Sequence, residues 1–244
     1  MRTAVILAAG MGIRLGSELT DRPKGFLELG DRPIIEESVQ RLSDAGIERI
    51  VIVTGYGAEH YEKLAARYPK LIETVHNAEF ANSGSMYSLF CARRKLEDEA
   101  FLLLESDLIY EPRALDVLID FDQPDAILLS GPTGAGDEVY VESRDGMLVS
   151  MSKYREALGP GIAGELVGIS KISRGLFGLM LNIAEDLFEE SFWFDYETDC
   201  LVAAAHNWAI ACPVINGLVW TEIDDTTHLE RARTEVYPKL RQDD

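Results

Sequence analysis

Short apolar runs alternate with amphipathic stretches through the first half of the chain. The apolar runs, which are typical of strands buried on both faces of a sheet, are residues 4–7, 50–54 and 100–104, with a further strand pattern at about 71–75. Apolar side chains at helical spacing predict helices at about 35–45 and 59–68, and a third from residue 85 to about 95. This alternation predicts an α/β fold with a doubly wound, mostly parallel sheet.

The pattern changes after residue 130. Two alternating stretches, residues 139–142 and 147–150, flank Asp145-Gly146, a dipeptide that strongly favours a β-hairpin. The remaining predicted elements are a strand at 165–169, a helix at about 174–188, helical spacing at about 197–206, and strands near 209–215 and at 219–223. The last helix is expected to begin with a capping box formed by Thr227 and Glu230.

A glycine-rich loop follows the first predicted strand. Residues 8–16 read Ala-Ala-Gly-Met-Gly-Ile-Arg-Leu-Gly, and Lys24 comes ten residues after Arg14. Small residues leave backbone amides open to an anion, so the loop with Arg14 and Lys24 predicts a cradle for a polyphosphate. A dinucleotide-binding loop would need glycine in place of Leu15, and a Walker loop would need Gly-Lys-Ser/Thr directly after the glycines. The alternative is a strand-to-helix turn without a ligand.

The charge distribution favours the anion site. The chain has 23 basic and 42 acidic residues and a formal net charge of −19, yet residues 1–25 hold four basic and two acidic side chains. A locally positive segment in an acidic chain suits an anionic ligand. The overall charge argues against nucleic acid or an anionic membrane as a partner.

The composition also indicates the compartment. The apolar runs are too short to span a membrane, and no cleavable signal pattern precedes the first strand. The three cysteines share no close spacing, which argues against a disulfide framework or a zinc site. We therefore expect a cytoplasmic protein.

Residues 7–14, followed by Pro23-Lys24, resemble the signature loop of the sugar-phosphate and alcohol-phosphate nucleotidyltransferases. The resemblance implies binding of a nucleoside triphosphate and transfer of its nucleotidyl group to a phosphate-type oxyanion. The residues expected to hold the nucleotide are Leu7, Ala8, Ala9, Gly10, Gly12 and Lys24 near the front loop, Gly55, Tyr56, Ser83, Gly84, Ser85 and Met86 around the base, and Asp107. Ser83 and Ser85 are also typical helix caps.

Two aspartates follow predicted strands and are candidates for a metal site. Asp107 and Asp224 lie just past strand ends, where ligands of open parallel sheets bind. Two carboxylates that converge there suit a Mg²⁺ ion that also binds phosphate oxygens. Each aspartate could instead cap the next helix. For Asp224 that alternative is weaker if Thr227 is the cap, with Asp225 facing solvent. The family resemblance likewise implies metal binding by Asp107 and Asp224.

Three cations are the candidate catalytic residues. An acceptor phosphate is already ionised near neutral pH, with a second pKa of about 6, so catalysis needs positioning and charge neutralisation in an in-line attack rather than a general base. Lys24 is expected at the α-phosphate and Arg14 at the outgoing pyrophosphate. The resemblance implies that Lys153 meets the phosphate end of the acceptor.

The segment 192–199 interleaves aromatic and acidic residues. This combination suits an ammonium group, although core aromatics beside a solvated acidic turn would give the same pattern. The residues expected to bind the acceptor are Lys153, Glu165, Trp193, Asp195, Tyr196 and Asp199.

Motifs along almost the whole chain resemble those of the 2-aminoethylphosphonate cytidylyltransferases. That family is related to the bacterial phosphocholine cytidylyltransferases. The motifs that carry this similarity are residues 23–28, 84–86, 104–110, 136–140, 164–169 and 220–224. The resemblance implies CTP, Mg²⁺ and a small amine-bearing phosphonate or phosphate as partners, and it allows a homodimer. The alternatives are phosphocholine or phosphoethanolamine as acceptor, more distantly a sugar 1-phosphate, and, from another class, a regulatory module that binds nucleotide without turnover.

These features together predict the domain organisation. A chain of 244 residues with 47% hydrophobic content suits one domain with a full core. We expect a single nucleotidyltransferase domain over residues 1–244, with a Rossmann-like nucleotide-binding core formed by residues 1–130 and 219–244. Residues 131–218 are expected to form a hairpin and helical insert on the substrate side.

Overall fold

The computed structural model describes residues 1–19, 22–96 and 98–241. The strands are β1 (Thr3–Ala8), β2 (Arg49–Thr54), β3 (Ile72–His76), β4 (Phe101–Glu105), β5 (Leu108–Tyr110), β6 (Ala126–Ser130), β7 (Tyr140–Arg144), β8 (Met147–Ser152), β9 (Ile162–Ile172), β10 (Val214–Ile215) and β11 (Trp220–Glu222). The α-helices are α1 (Ile34–Asp44), α2 (Ala58–Arg67), α3 (Ser85–Cys91), α4 (Arg93–Leu96), α5 (Arg113–Asp120), α6 (Arg174–Phe188), α7 (Val202–Ala205), α8 (Thr226–Arg231) and α9 (Tyr237–Leu240). The chain also forms 3-10 turns, including Ile13–Leu19 and Lys24–Phe26, and two π-helical turns, Tyr196–Leu201 and Ala232–Val236.

The central sheet is mostly parallel, as predicted. Its strand order is β10-β6-β9-β4-β1-β2-β3, and the hairpin of β7 and β8 joins it through β9. Strands β4, β1, β2 and β3 run parallel to one another, whereas β9 runs antiparallel to both neighbours, β4 and β6. The expected α/β architecture is confirmed.

Both faces of the sheet are covered by apolar helix faces. Strand β1 is wholly buried, and its side chains alternate between two layers, with Val5 and Leu7 on one face and Ala4 and Ile6 on the other. Helices α3 and α6 pack on the first layer, and α1, α2 and α5 pack on the second. This burial on both sides explains the continuous apolar runs in the sequence.

The predicted hairpin is present between β7 and β8. Its turn residues, Asp145 and Gly146, both have positive φ angles, 52° and 76°. Two successive positive φ values are those of a type I′ turn, which matches the right-handed twist of the paired strands. Helix α6 has the predicted bounds, residues 174–188.

Three predicted elements differ from the structure. Strand β9 covers 11 residues rather than five, because it pairs on both sides within the sheet. The helix expected from residue 85 to about 95 is interrupted at Ala92, between α3 and α4. The strand expected near 209–215 is reduced to Val214–Ile215.

The capping box predicted for the C-terminal helix is wrong. Asp225 caps α8: its carboxylate accepts hydrogen bonds from the amides of Thr227 and His228, at 2.8 and 2.9 Å. Asp225 is therefore the N-cap rather than a residue that simply faces solvent, because a short carboxylate directly before the helix reaches the free amides of its first turn.

A separate two-stranded sheet forms next to the central one. Strands β5 and β11 are antiparallel, and the amide of Ile223 donates a hydrogen bond to the carbonyl of Asp107 at 3.1 Å. This pairing brings the chain after β4 next to the chain after β11.

Among the described residues, none of the helices combines the length and the apolar character that crossing a membrane requires.

Candidate active site

The glycine-rich loop leaves β1 at the carboxyl edge of the sheet. Gly12 has a φ of 61°, and its carbonyl accepts a hydrogen bond from the amide of Leu15 at 3.0 Å, which starts the 3-10 turn. Leu15 is fully buried and packs with Ile223 and Leu229. Leu15 therefore anchors this loop against the C-terminal part of the chain. A dinucleotide-binding loop has glycine at this position.

Lys24 lies between the two predicted metal ligands. Its ammonium donates to Oδ2 of Asp107 at 2.7 Å and also to Oδ1 of Asp224. Burial alone would lower the pKa of Lys24, but the two carboxylates outweigh it and raise the pKa above its ordinary value. Lys24 is thus fully charged in a partly buried site.

Arg14 forms a further ion pair with Asp224. Its guanidinium lies 2.8 Å from Oδ2 of Asp224. Burial would raise the pKa of Asp224, but Lys24 and Arg14 together hold that pKa below its ordinary value. The two predicted cations and the two predicted metal ligands therefore form one connected cluster of ion pairs.

The two aspartates meet for a reason that the sequence pattern did not show. Asp107 follows β4 of the central sheet, as expected, whereas Asp224 follows β11, which belongs to the two-stranded sheet rather than to the parallel one. The antiparallel pairing of β11 with β5, and not a shared parallel edge, aligns Asp224 with Asp107.

A third carboxylate joins them. Oxygen atoms of Asp107, Glu222 and Asp224 all lie within 4.8 Å of one another. Burial and the neighbouring charges of Asp107 and Asp224 raise the pKa of Glu222 well above its ordinary value. Closely spaced carboxylate oxygens are the ligands that a hard divalent cation such as Mg²⁺ prefers, so the donor set fits the predicted metal. Glu222 was missed because it precedes the predicted Ile223-Asp224 motif within a strand.

Two adjoining cavities extend from this cluster. The first, which we call the front cavity, has a volume of about 420 Å³. The predicted residues that line it are Leu7, Gly10, Gly12, Arg14, Lys24 and Asp107. Ala8 and Ala9, where β1 passes into the loop, are buried.

The second cavity, which we call the acceptor cavity, has a volume of about 520 Å³. Arg14 and Glu105 line both cavities, so the two spaces share a wall next to Asp224. The acceptor cavity is also lined by Lys153 and Asp195. Of the residues predicted for the acceptor, these two line this cavity.

The other predicted acceptor residues have different environments. The carboxylate of Glu165 accepts a hydrogen bond from the amide of Thr133 at 2.8 Å, and the Trp193 side chain is 63% exposed. Tyr196 is fully buried and donates to Glu197, while Asp199 accepts from the amide of Asp195. Trp193 therefore lies at the surface, whereas Tyr196 is a core aromatic, as in the alternative interpretation. Glu165, Tyr196 and Asp199 hydrogen-bond to residues of the cavity wall.

Glu197 is a residue of the acceptor cavity that the sequence prediction missed. Its side chain lines the cavity within the π-helical turn after Asp195. Burial raises the pKa of Glu197 to about 7, with Asp195 acting in the same direction and Lys153 against it. The aromatic and acidic alternation indicated the right segment, but the π-helical turn decides which carboxylate points inward.

The predicted base-binding loops are close to the glycine-rich loop. The amide of Tyr56 donates to the carbonyl of Ala9 at 3.2 Å, and a methyl group on Gly55 would lie 2.6 Å from the same oxygen. Only glycine therefore allows this loop to approach residue 9 so closely.

The segment Ser83–Met86 has mainly structural contacts. The Ser83 hydroxyl donates to the carbonyl of Glu79, Met86 is fully buried, and the amides of Gly84 and Met86 donate to the carbonyls of Phe192 and Phe194. Ser85 differs from these residues because its side chain lines the acceptor cavity, where it donates to Asp195 and accepts from the amide of Tyr196.

The chain is similar to known proteins in sequence and in fold. The family of the MobA-like NTP transferase domain matches residues 4–159. A 2-aminoethylphosphonate cytidylyltransferase of Lancefieldella rimae is 34% identical over 203 residues, which cover 79% of this chain and 77% of that protein. A CMP-5'-(3-aminopropyl)phosphonate synthase of Streptomyces rubellomurinus is 30% identical over 98% of this chain, and the chain spans 39% of the length of that synthase.

A solved structure shows the same fold. The inositol-1-phosphate CTP transferase from T. maritima superimposes with a TM-score of 0.83 over 99% of this chain and 97% of that chain, at 21% sequence identity. At this identity the likeness concerns the fold alone.

Proposed function

The chain belongs to the family of MobA-like NTP transferase domains, and from this premise we propose that it transfers CMP from CTP to 2-aminoethylphosphonate. One observation supports the proposal most strongly. The acceptor cavity has cations, Arg14 and Lys153, and carboxylates, Asp195 and Glu197, on its walls beside the Lys24–Asp107–Asp224 cluster. A small acceptor with an anionic phosphonate end and an ammonium end matches both charges.

The front cavity is the proposed nucleotide site. The backbone of Gly10 and Gly12 lines it beside Arg14 and Lys24, an arrangement that suits a triphosphate. In this proposal Lys24 neutralises the α-phosphate and Arg14 the departing pyrophosphate. The base would lie toward Gly55 and Tyr56, whose loop contacts the glycine-rich loop.

The reaction joins the two sites. A phosphonate oxygen attacks the α-phosphorus in line, an O–P bond forms, the bond between the α-phosphorus and the bridging oxygen breaks, and that oxygen leaves with pyrophosphate. No proton has to be removed from an ionised phosphonate. Lys24 therefore acts by holding positive charge at the phosphorus, where negative charge builds in the transition state.

We propose Mg²⁺ as the cofactor, held by Asp107 and Asp224 with Glu222 beside them. When bound, the ion neutralises phosphate charge and orients the triphosphate. Lys24 already contacts both aspartates, so its ammonium has to move toward the α-phosphate as the loaded site forms.

The acceptor side of the proposal assigns roles within residues 131–218. Lys153 holds the phosphonate, and the carboxylates of Asp195 and Glu197 accept hydrogen bonds from the primary ammonium. The partly buried carboxylate of Glu197 suits this role, because an ammonium supplies the counter-charge that compensates for the loss of water around it. A neutral sugar would leave that carboxylate without a counter-ion, which disfavours a sugar 1-phosphate.

Phosphocholine or phosphoethanolamine is the second candidate acceptor. Tyr154 and Trp220 also line the acceptor cavity, and aromatic faces suit a trimethylammonium group. The carboxylates favour the primary amine over phosphocholine, because three methyl groups remove every N–H donor.

The experiment is a panel of pyrophosphate-release assays with Mg²⁺. Each of four nucleoside triphosphates is paired with aminoethylphosphonate, phosphoethanolamine, phosphocholine and glucose 1-phosphate. We expect the highest kcat/KM for CTP with aminoethylphosphonate. The highest value for a sugar phosphate would refute the proposed acceptor, and equal values for aminoethylphosphonate and phosphocholine would replace it with the second candidate.

A further inference from the structure

We propose that Tyr61 is a positioning residue that sets the place of Lys24 through its hydroxyl group. The inference rests on the proposed function, in which Lys24 meets the α-phosphate. Tyr61 lies on α2, outside the motifs that identify the site, and its ring is fully buried. It nevertheless lines the front cavity beside Lys24 and Asp107.

The hydroxyl of Tyr61 lies directly beneath the residue after Lys24. A methyl group on Gly25 would lie 2.8 Å from the Tyr61 oxygen and 3.3 Å from the carbonyl oxygen of Ser106. Glycine at position 25 therefore allows the Lys24–Phe26 turn to pack closely against the hydroxyl. Burial raises the pKa of Tyr61, so its hydroxyl is neutral near neutral pH.

Helix α2 holds the same turn on both sides of Gly25. The Phe26 ring packs edge-on against Tyr61, with centroids 5.1 Å apart, and also contacts His60 at 5.3 Å. On the other side, Pro23 packs so closely on Gly57 that a methyl group there would lie 2.9 Å from the proline ring. The backbone on either side of Lys24 is thus fixed against the first turns of α2.

The hydroxyl lies close to both halves of the catalytic cluster. It packs against Gly25, which follows Lys24, and Gly25 in turn approaches the carbonyl of Ser106, which precedes Asp107. The Lys24 ammonium lies 2.7 Å from Asp107, so the two segments meet at this ion pair, and the Tyr61 oxygen supports the first segment at Gly25. Loss of the oxygen removes the support under Gly25 and leaves both side chains of the ion pair intact.

Tyr110 provides a matched control for a purely structural role. Like Tyr61, it is fully buried, and its hydroxyl makes one hydrogen bond, 2.8 Å from the Ser38 hydroxyl, outside both cavities. Tyr61→Phe and Tyr110→Phe each remove one buried hydroxyl and retain the ring. If Tyr61 only stabilises the fold, the two variants behave alike.

The first measurement compares steady-state kinetics and melting temperatures. We expect similar shifts in melting temperature for the two variants. Tyr61→Phe should lower kcat by tenfold or more with the KM for CTP changed by less than about threefold, because a displaced Lys24 matters most in the transition state. Tyr110→Phe should keep kcat within about twofold of the wild type. A Tyr61→Phe kcat equal to that of Tyr110→Phe would overturn the proposal.

Gly25→Ala tests the contact itself. The added methyl group collides with the Tyr61 oxygen, so Gly25→Ala should lower kcat by a larger factor in the wild type than in the Tyr61→Phe background, where that oxygen is absent. Equal factors in both backgrounds would show that the methyl group and the hydroxyl act separately, contrary to the proposal.

A nucleotide-free readout separates this inference from the proposed function. Hydrogen exchange of the Gly25 amide should be faster in Tyr61→Phe than in the wild type and unchanged in Tyr110→Phe. A wild-type protein that releases no pyrophosphate from CTP would refute the proposed function, and the exchange result would still decide the Tyr61 contact. Unchanged exchange at Gly25 in Tyr61→Phe would overturn the inference even in an active enzyme.

Discussion

Replacement of Lys24 by glutamine should increase the affinity of the nucleotide-free protein for divalent cations while it abolishes turnover. The Lys24 ammonium contacts both proposed metal ligands, at 2.7 Å from Asp107 and in direct contact with Asp224. A cation that binds these carboxylates has to displace the ammonium first. Lys24→Gln removes the competing charge and retains most of the side chain.

The magnitude follows from the two contacts that the metal must break. Hydrogen bonds to charged groups contribute roughly 1.5–3 kcal/mol each, so two of them oppose the metal by about 3–6 kcal/mol before the displaced ammonium regains water. Rehydration offsets part of this cost. We therefore expect the dissociation constant for Mn²⁺ or Mg²⁺ to fall by about 10- to 100-fold, which corresponds to roughly 1.4–2.8 kcal/mol.

The assay is a titration of the nucleotide-free protein with Mn²⁺, followed by electron paramagnetic resonance or calorimetry. A thermal shift on addition of Mg²⁺ should be larger for Lys24→Gln than for the wild type, since tighter binding stabilises the folded state more. Lys95→Gln is the matched control, because Lys95 forms an ion pair with Glu73 at 2.7 Å away from both cavities. Unchanged metal affinity in Lys24→Gln would refute the competition between the ammonium and the metal.

The remaining predictions concern the same site. Asp107→Asn and Asp224→Asn should each remove nearly all turnover with little change in melting temperature. Their effects on kcat should not add in the double variant, because both residues act through one ion, and full additivity would contradict a shared metal. Glu197→Gln should raise the KM for aminoethylphosphonate more than that for phosphocholine, as competition assays with both acceptors would show; an unchanged KM ratio would remove Glu197 from the ammonium site. The pKa of Glu197 is raised to about 7, above its unfolded value near 4.3, so the stabilisation from its neutral form is complete below about pH 4 and is lost as pH rises through about 7. The unfolding free energy of Glu197→Gln relative to the wild type should therefore increase between pH 5 and pH 8 in denaturant titrations, and a constant difference would contradict the raised pKa.

Local signals in the sequence were sufficient for much of the fold. The buried strands carry their apolar pattern on both faces, and Asp145-Gly146 gives a turn whose geometry only a few residue pairs adopt. The position of Asp107 after β4 could likewise be predicted, because it depends on one strand and the residues that follow it.

The contacts that depend on distant pairing could not be predicted. Asp224 meets Asp107 through the antiparallel β5–β11 sheet, although the sequence pattern indicated a parallel strand end. Thr227 and Asp225 are both good caps, and the backbone conformation before α8 decides for Asp225.

The position of the Glu197 carboxylate could not be predicted either, because it depends on irregular backbone structure. Glu197 lines the acceptor cavity because the chain forms a π-helical turn at Tyr196–Leu201, which apolar spacing does not reveal. The sequence gives no sign that Tyr61 differs from an ordinary core residue on the inner face of α2. Its contact with Gly25 depends on how the helix and the Lys24–Phe26 turn pack together.

The most direct test of the central claim is phosphorus NMR of a reaction of CTP with 2-aminoethylphosphonate and Mg²⁺. We predict one equivalent of pyrophosphate and a product with two mutually coupled phosphorus resonances, one of them in the phosphonate region, because the reaction joins the phosphonate oxygen to the α-phosphorus of CMP. The same sample with Lys24→Gln should show neither signal. An unreacted phosphonate resonance with the wild-type protein, under conditions in which a sugar 1-phosphate is consumed, would contradict the account.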